Sequence, residues 1–248
     1  NGIRNYIEMF TKSPDLWLSL RNNFIYLAVH MVMIPIELGI AVMLNSGFKG
    51  AKLVKTIAFL PFIINGVGMS YAFSYFFSPV NGAFNQILTG LGLSGWICKW
   101  LSDPAIVNFV LAAVSAWRFS GYHIVLFSTG LTSIPTEMME AARIDGCGEF
   151  KTFNRIVTPI LKPAFAVQII FTFVTNWNNY FMPRLILTTK SKYTIPLVLN
   201  AMSYAGPQEK DVGMFSLYIV LAILPVVIVY LCLSKFIIRG VALGSVKG

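Results

Sequence analysis

Residues Met214 to Ser234 read MFSLYIVLAILPVVIVYLCLS, 21 residues without one charged side chain. A hydrocarbon layer about 30 Å thick is crossed by roughly 20 apolar residues in a helix, so this stretch is a membrane span. Four more stretches share the pattern. Phe24 to Leu44 is interrupted only by His30 and Glu37, and Thr56 to Phe77 carries no charge. Ala105 to Leu131 is apolar apart from Arg118 and His123, and Ala164 to Leu187 is uncharged as far as Arg184. Such runs are too long and too uniform for barrel strands, which alternate over about 10 residues. A helix satisfies each backbone N–H within its own segment, which lipid demands. The expected fold is therefore all-α, a polytopic transmembrane helix bundle with five visible spans. Pro35, Pro61, Pro183 and Pro225 fall in or at the ends of these spans. Kinks are expected there, with neighbouring helices satisfying the freed carbonyls.

The composition agrees. Charged residues make up 12% of the 248 and hydrophobic residues 56%, with mean hydropathy +0.70. A soluble domain carries about 25% charged residues, so disordered and soluble classes are excluded. The formal net charge is +9. Its Lys and Arg sit between apolar runs, which points to loops against anionic headgroups and not to nucleic acid. Cys98, Cys147 and Cys232 are far apart and form neither a disulfide framework nor a zinc pattern.

Alternation of the loops puts ten Lys and Arg on the side holding the C-terminus and seven on the other. The bias places the C-terminus in the cytoplasm, leaving residues 1–23 as an extracytoplasmic lead-in, residues 24–238 as the membrane domain and residues 239–248 as a cytoplasmic tail. The chain opens Asn1-Gly2-Ile3-Arg4 without an apolar leader, so a sixth span is expected to precede it. Ser13-Pro14-Asp15 is a turn or helix-start signal before Leu16 to Asn23.

The connection 133–163 differs from its short, Gly/Asn-rich counterparts. Ser133 and Pro135 open a helix through Thr136-Glu137-Met138-Met139-Glu140-Ala141-Ala142-Arg143, Asp145-Gly146 breaks it, and Phe150, Phe153, Ile156 and Val157 recur at helical spacing before Pro159. Such a pair can lie in the headgroups or present a face to a soluble partner. Glu137, Glu140, Asp145 and Glu149 offset the basic residues, which favours the protein partner.

The run Glu140-Ala141-Ala142-Arg143-Ile144-Asp145-Gly146, followed by Phe153, Ile156, Pro159 and Pro163, resembles the EAA loop of ABC importer permeases, in the spacing of their carbohydrate branch. Cys147 stands where alanine is usual and Thr158 where leucine is usual. Asn5-Tyr6 with Phe10 resembles the family's segment after its first helix, and Trp177-Asn178 with Tyr180 and Pro183 its Trp-Asn region. The ending Arg239-Gly240, Gly244 and Val246-Lys247-Gly248 is similar to one maltose-permease partner, whereas Trp100 to Pro135 is similar to the other.

The resemblance implies an EAA loop that docks in a cytoplasmic ATPase, with Glu140, Ala141, Ala142, Asp145, Gly146 and Phe153 as coupling residues. It also implies a second permease subunit, two ATPase subunits or domains, an extracytoplasmic solute-binding protein, a sugar substrate, and a place in the cytoplasmic membrane of a bacterium or archaeon. No GxxxxGK[ST] phosphate loop occurs in the chain. ATP and Mg are therefore expected on the ATPase, with no cofactor in this chain and no catalytic role for it.

Polar groups at mid-membrane depth face a cavity or another helix. Thr172, Asn176, Asn179, Tyr180 and Pro183 fall on one face of an unbroken helix, flanked by Trp177 and Asn178. Amide and aromatic side chains suit a hydroxyl-rich ligand; interhelical hydrogen bonding is the alternative. The third span adds Asn108, Ser115 and Tyr122 at seven-residue intervals, beside Arg118. Arg118 needs a partner in the membrane, and Glu37, the one acid within the spans, is the expected one. His30 and His123 read as packing or hydrogen-bonding residues, and Asn65 with Gly66 and Gly68 as a loosened stretch of helix. An intramembrane enzyme would need a nucleophile–base pair, for which only Ser120 and His123 stand close in sequence. A permease for an amino acid, phosphate or polyamine would need counter-charges along its lining, and a secondary transporter would show inverted repeats.

Overall fold

The computed structural model describes residues 2–204 and 211–245. Asn1, Lys210 and the Val246-Lys247-Gly248 ending lie outside the described residues. Among the described residues the regular structure is helical throughout. Short helix α1 (Gly2–Lys12) leads to α2 (Pro14–Asn45), which starts at the Ser13-Pro14-Asp15 signal with proline in its first turn. The lead-in is thus two helical pieces separated at Ser13, of which the second runs into the first span without a break. After α6 (Val107–Thr132) comes the connection 133–163, and α13 (Val212–Ser245) is the last described helix, with residues 239–245 of the expected tail continuing it. Helices α2, α6 and α13 are each long and apolar enough to cross a membrane alone.

Two of the five expected spans are not single helices. The stretch Thr56 to Phe77 divides into α3 (Ala51–Ile63) and α4 (Gly66–Phe76), bent by 99° at Ile64 and Asn65. Asn65 caps α4, its side chain accepting from the Val67 N–H at 2.8 Å, so the new helix starts with its own polar cap. The span after the connection 133–163 is bent by 60° near Leu161 and broken again after Trp177. It comprises α8 (Glu149–Thr152), a π-helical turn (Phe153–Val157), α9 (Thr158–Ile160), α10 (Lys162–Trp177) and α11 (Phe181–Ile186). The residues expected as a separate second coupling helix therefore form the bent entry to this span. Smaller helices are α5 (Ala83–Gly90), α7 (Thr136–Ile144) and α12 (Ile195–Ser203).

The chain forms two compact units, Asn1–His30, Ile64–Ser115 and Val174–Val227 in the first, and Met31–Ile63, Ala116–Phe173 and Ile228–Gly248 in the second. In the first, Tyr26, Met69, Phe77, Leu111, Met182 and Ile186 form the core, and α4 packs on α11. Phe76, Phe77, Phe84 and Trp100 extend it as a ring cluster with centroids 5.0–6.2 Å apart. A smaller cluster of Met9, Leu16, Leu217 and Tyr218 seats the lead-in on α13. Buried Asn23 ties three segments together, donating to the Trp177 carbonyl at 3.1 Å and accepting from the Ile195 N–H at 2.9 Å.

The second unit buries Ile34, Leu38, Ala41, Ile124, Phe127, Val157 and Leu161. Its helices approach closely where side chains are smallest. A Cβ at Gly121 of α6 would fall onto the Ala58 carbonyl of α3 and 2.7 Å from the Phe59 Cα, so those two backbones touch because residue 121 has no side chain. Phe62 of α3 completes the contact by stacking on Tyr122 with centroids 4.9 Å apart.

Candidate functional site

The residues expected to carry function form two groups: polar side chains within the spans, and the short helix α7. Three buried polar side chains of the second unit form a hydrogen-bonded row. Glu37 Oε2 of α2 lies 2.9 Å from His123 Nδ1 of α6, and His123 Nε2 lies 3.5 Å from the Thr172 hydroxyl of α10. Glu37 is 1% exposed and His123 3%, so both are withdrawn from water and lipid alike. The expected Glu37–Arg118 pair is thereby corrected: the acid is held by His123. Arg118 is half-buried with its guanidinium over the Phe119 ring, 5.4 Å from the centroid. Five residues on one helix turn through about 140°, so Arg118 and His123 point to different sides of α6.

The expected single polar face on the fourth span is also corrected. Thr172, Asn176 and Trp177 are on α10, but Asn178, Asn179 and Tyr180 form an irregular segment before α11. Pro183 explains the break, since it has no N–H for the carbonyl of residue 179 and its ring would clash there in a continuing helix. Thr172 and Asn176 are buried, and Asn176 Oδ1 lies 3.4 Å from the Ser115 hydroxyl. Trp177 is buried as well, its ring N–H donating to the Ala222 carbonyl of α13 at 2.9 Å. These three side chains join helices. Asn178 is exposed, and Asn179, Tyr180 and Tyr122 are half-buried. Unwound backbone with amide and aromatic side chains at membrane depth is tolerated where it borders protein or a water-filled cavity. Of the remaining expected polar residues, Asn108 bonds Tyr26 at 3.4 Å and His30 Nδ1 lies 2.9 Å from the Tyr26 carbonyl oxygen.

The connection 133–163 has the expected first helix and turn. Gly146 adopts φ +69°, the Cys147 N–H returns to the Ala142 carbonyl at 2.9 Å, and the Asp145 N–H to that of Ala141 at 2.9 Å. This is a glycine-terminated helix end that stops α7 sharply. Glu137, Glu140, Ala141 and Ile144 fall on one face of α7 and all are exposed, Ile144 to 86%. Asp145 and Gly146 are exposed beside them. Ala142 is buried, and Met139 and Phe153 pack on the core of the second unit. Of the six expected coupling residues, Glu140, Ala141, Asp145 and Gly146 therefore face outward, while Ala142 and Phe153 anchor the segment. Ile144 was missed by the sequence reading, although its place four residues after Glu140 puts it on the same face.

Comparison with known proteins decides the family. The family described as binding-protein-dependent transport system inner membrane component matches residues 31–242. The chain belongs to that family. It is 34% identical over 143 residues to the arabinooligosaccharides transport system permease protein AraQ of Bacillus subtilis (strain 168), covering 58% of this chain and 47% of AraQ. It is 30% identical over 213 residues to the probable ABC transporter permease protein YurN of the same organism, covering 85% of this chain and 72% of YurN. The chain thus spans about half the length of AraQ. In fold it is similar to a bacterial ABC transporter involved in import of the acidic polysaccharide alginate, with TM-score 0.79 at 20% identity, covering 96% of this chain and 84% of that one. The all-α membrane fold read from the apolar runs is thus the fold of an importer permease.

Proposed function

We propose that this permease-family chain is one of two membrane-spanning subunits of an ATP-driven importer, and that it forms part of the path for a sugar or oligosaccharide. The observation that carries the reading is the outward face of α7. Ile144 stands exposed beside Ala141 and Glu140 on a sharply terminated helix, and covering that apolar side chain with a docked partner is favourable. The partner is a cytoplasmic ATPase, which binds ATP and Mg and hydrolyses the nucleotide. Its closure pushes α7, and α7 transmits the displacement through Ala142, Met139 and Phe153 to the core of the second unit.

The sugar reading rests on the uncharged character of the polar groups near the helix break. Asn178, Asn179 and Tyr180 offer amide and phenol hydrogen bonds with an aromatic surface, which suits hydroxyl-rich ligands. The relationship to a permease for arabinooligosaccharides supports the same class. A solute-binding protein delivers the sugar from the extracytoplasmic side, and the C-terminus, α7 and the ATPases lie in the cytoplasm. The test is to purify the chain with its partner subunits and measure ATP hydrolysis with the binding protein loaded with different solutes. Stimulation by a neutral saccharide is expected; stimulation by charged amino acids or polyamines alone would overturn the sugar reading.

A further inference from the structure

We infer that the cleft between the start of α2 and the start of α6 in the first unit binds an oxyanion, a phosphate or carboxylate group. The cleft has a volume of about 410 Å³ and is lined by Arg21, Asn22, Ile25, Asn108, Phe109 and Lys192 among others. That volume is in the range of small-ligand sites, about 300–1,000 Å³.

Two cations line it, Arg21 exposed and Lys192 half-buried, and neither is in an ion pair among the described residues. No carboxylate lines it. The nearest in sequence, Asp103, is occupied in accepting from the Ala105 N–H at 2.8 Å. Asn22 is fully buried behind them, with both hydrogens of its amide spent on the Ser191 and Tyr193 carbonyls at 3.0 Å each, which holds the turn carrying Lys192 against α2. Two cations outside any ion pair among the described residues, in a cleft that no carboxylate lines, match an anionic group. A neutral sugar would leave the cations unmatched. Ile25 and the half-exposed Phe109 add an apolar wall. Both helices enter the membrane here, so the cleft lies at headgroup level. The ligand has two possible sources, the phosphoglycerol headgroup of an anionic lipid and an acidic sugar on its way to the pathway. The lipid source is independent of the proposed sugar transport.

The test uses the complete transporter in neutral detergent and calorimetric titration with four probes: dihexanoyl phosphatidylglycerol, dihexanoyl phosphatidylcholine, a glucuronate disaccharide and a neutral disaccharide. The wild type should bind phosphatidylglycerol, the glucuronate disaccharide or both more tightly than the matched neutral probe. R21Q/K192Q should weaken that binding by about tenfold or more, since each charge-assisted hydrogen bond contributes at least that factor. R4Q/K12Q, which removes the same charge elsewhere in the lead-in, should leave it unchanged. Loss of phosphatidylglycerol binding identifies the lipid as source, and loss of glucuronate binding identifies the substrate. Absence of binding by both anionic probes, equal binding by wild type and R21Q/K192Q, or equal weakening by R4Q/K12Q would each overturn the inference.

Discussion

Replacing His123 by Leu tests the buried row that ties α2 to α6. His123 Nδ1 is 2.9 Å from Glu37 Oε2, with both side chains withdrawn from solvent. Glu37 Oε1 has no hydrogen-bond partner, so among the described residues His123 is the hydrogen-bond partner that this carboxyl group has. Removing the histidine strands a buried carboxyl group at a cost of about 3–5 kcal/mol. Removing the acid instead, in Glu37→Leu, strands only a neutral-capable imidazole and costs about 1–3 kcal/mol. The double substitution removes both polar partners and leaves an apolar contact of similar volume, so it should be less harmful than His123→Leu alone. At about 2–4 °C per kcal/mol for a chain of this size, His123→Leu should lower the apparent melting temperature of the purified complex by about 6–20 °C. Fluorescence-detected size-exclusion chromatography after heating measures this. Melting shifts that simply add in the double variant would refute the reasoning, because they would mean that the two residues do not interact.

Other consequences follow from single contacts. Gly121→Leu places a side chain against the backbone of α3 at Ala58 and Phe59, so the assembled complex should be recovered in much lower yield, while Gly39→Leu, which meets no neighbouring atom, should be recovered normally. Asn23→Leu removes a donor to Trp177 and an acceptor for Ile195, costing about 2–3 kcal/mol in thermal stability. Gly146→Val forces a β-branched residue into φ +69°, destabilising the end of α7 by about 1–2 kcal/mol. Its readout is a reduced sugar-stimulated ATPase rate at unchanged basal rate.

The spans that were legible in the sequence are those whose only requirement is apolar length. Met214 to Ser234 falls inside α13, and Ala105 to Leu131 inside α6 except for its first two residues. The turn after α7 was legible because Asp145-Gly146 is a local signal that needs no tertiary context. The breaks at Ile64–Asn65 and after Trp177 were harder to see. Hydropathy counts side chains and is indifferent to whether Asn65 caps a new helix or Pro183 leaves a carbonyl without its N–H. Asn65 with two nearby glycines marked the first break as a loosening, but not as a 99° bend. The partner of Glu37 was out of reach for another reason. Charge alone nominates Arg118, whereas the rotation of α6 about its axis, which brings His123 round instead, is set by packing such as Phe127 against Phe165 and Gly121 against Ala58.

The central claim is that the outward face of α7 is held by a separate ATPase. A photo-reactive amino acid placed at Ile144, and in a second variant at Met139, tests it in the intact membrane. Irradiation should join the ATPase subunit to position 144 and not to the inward-packed position 139. Failure of position 144 to capture the ATPase, or its modification by a membrane-impermeant reagent added outside the cell, would contradict the account.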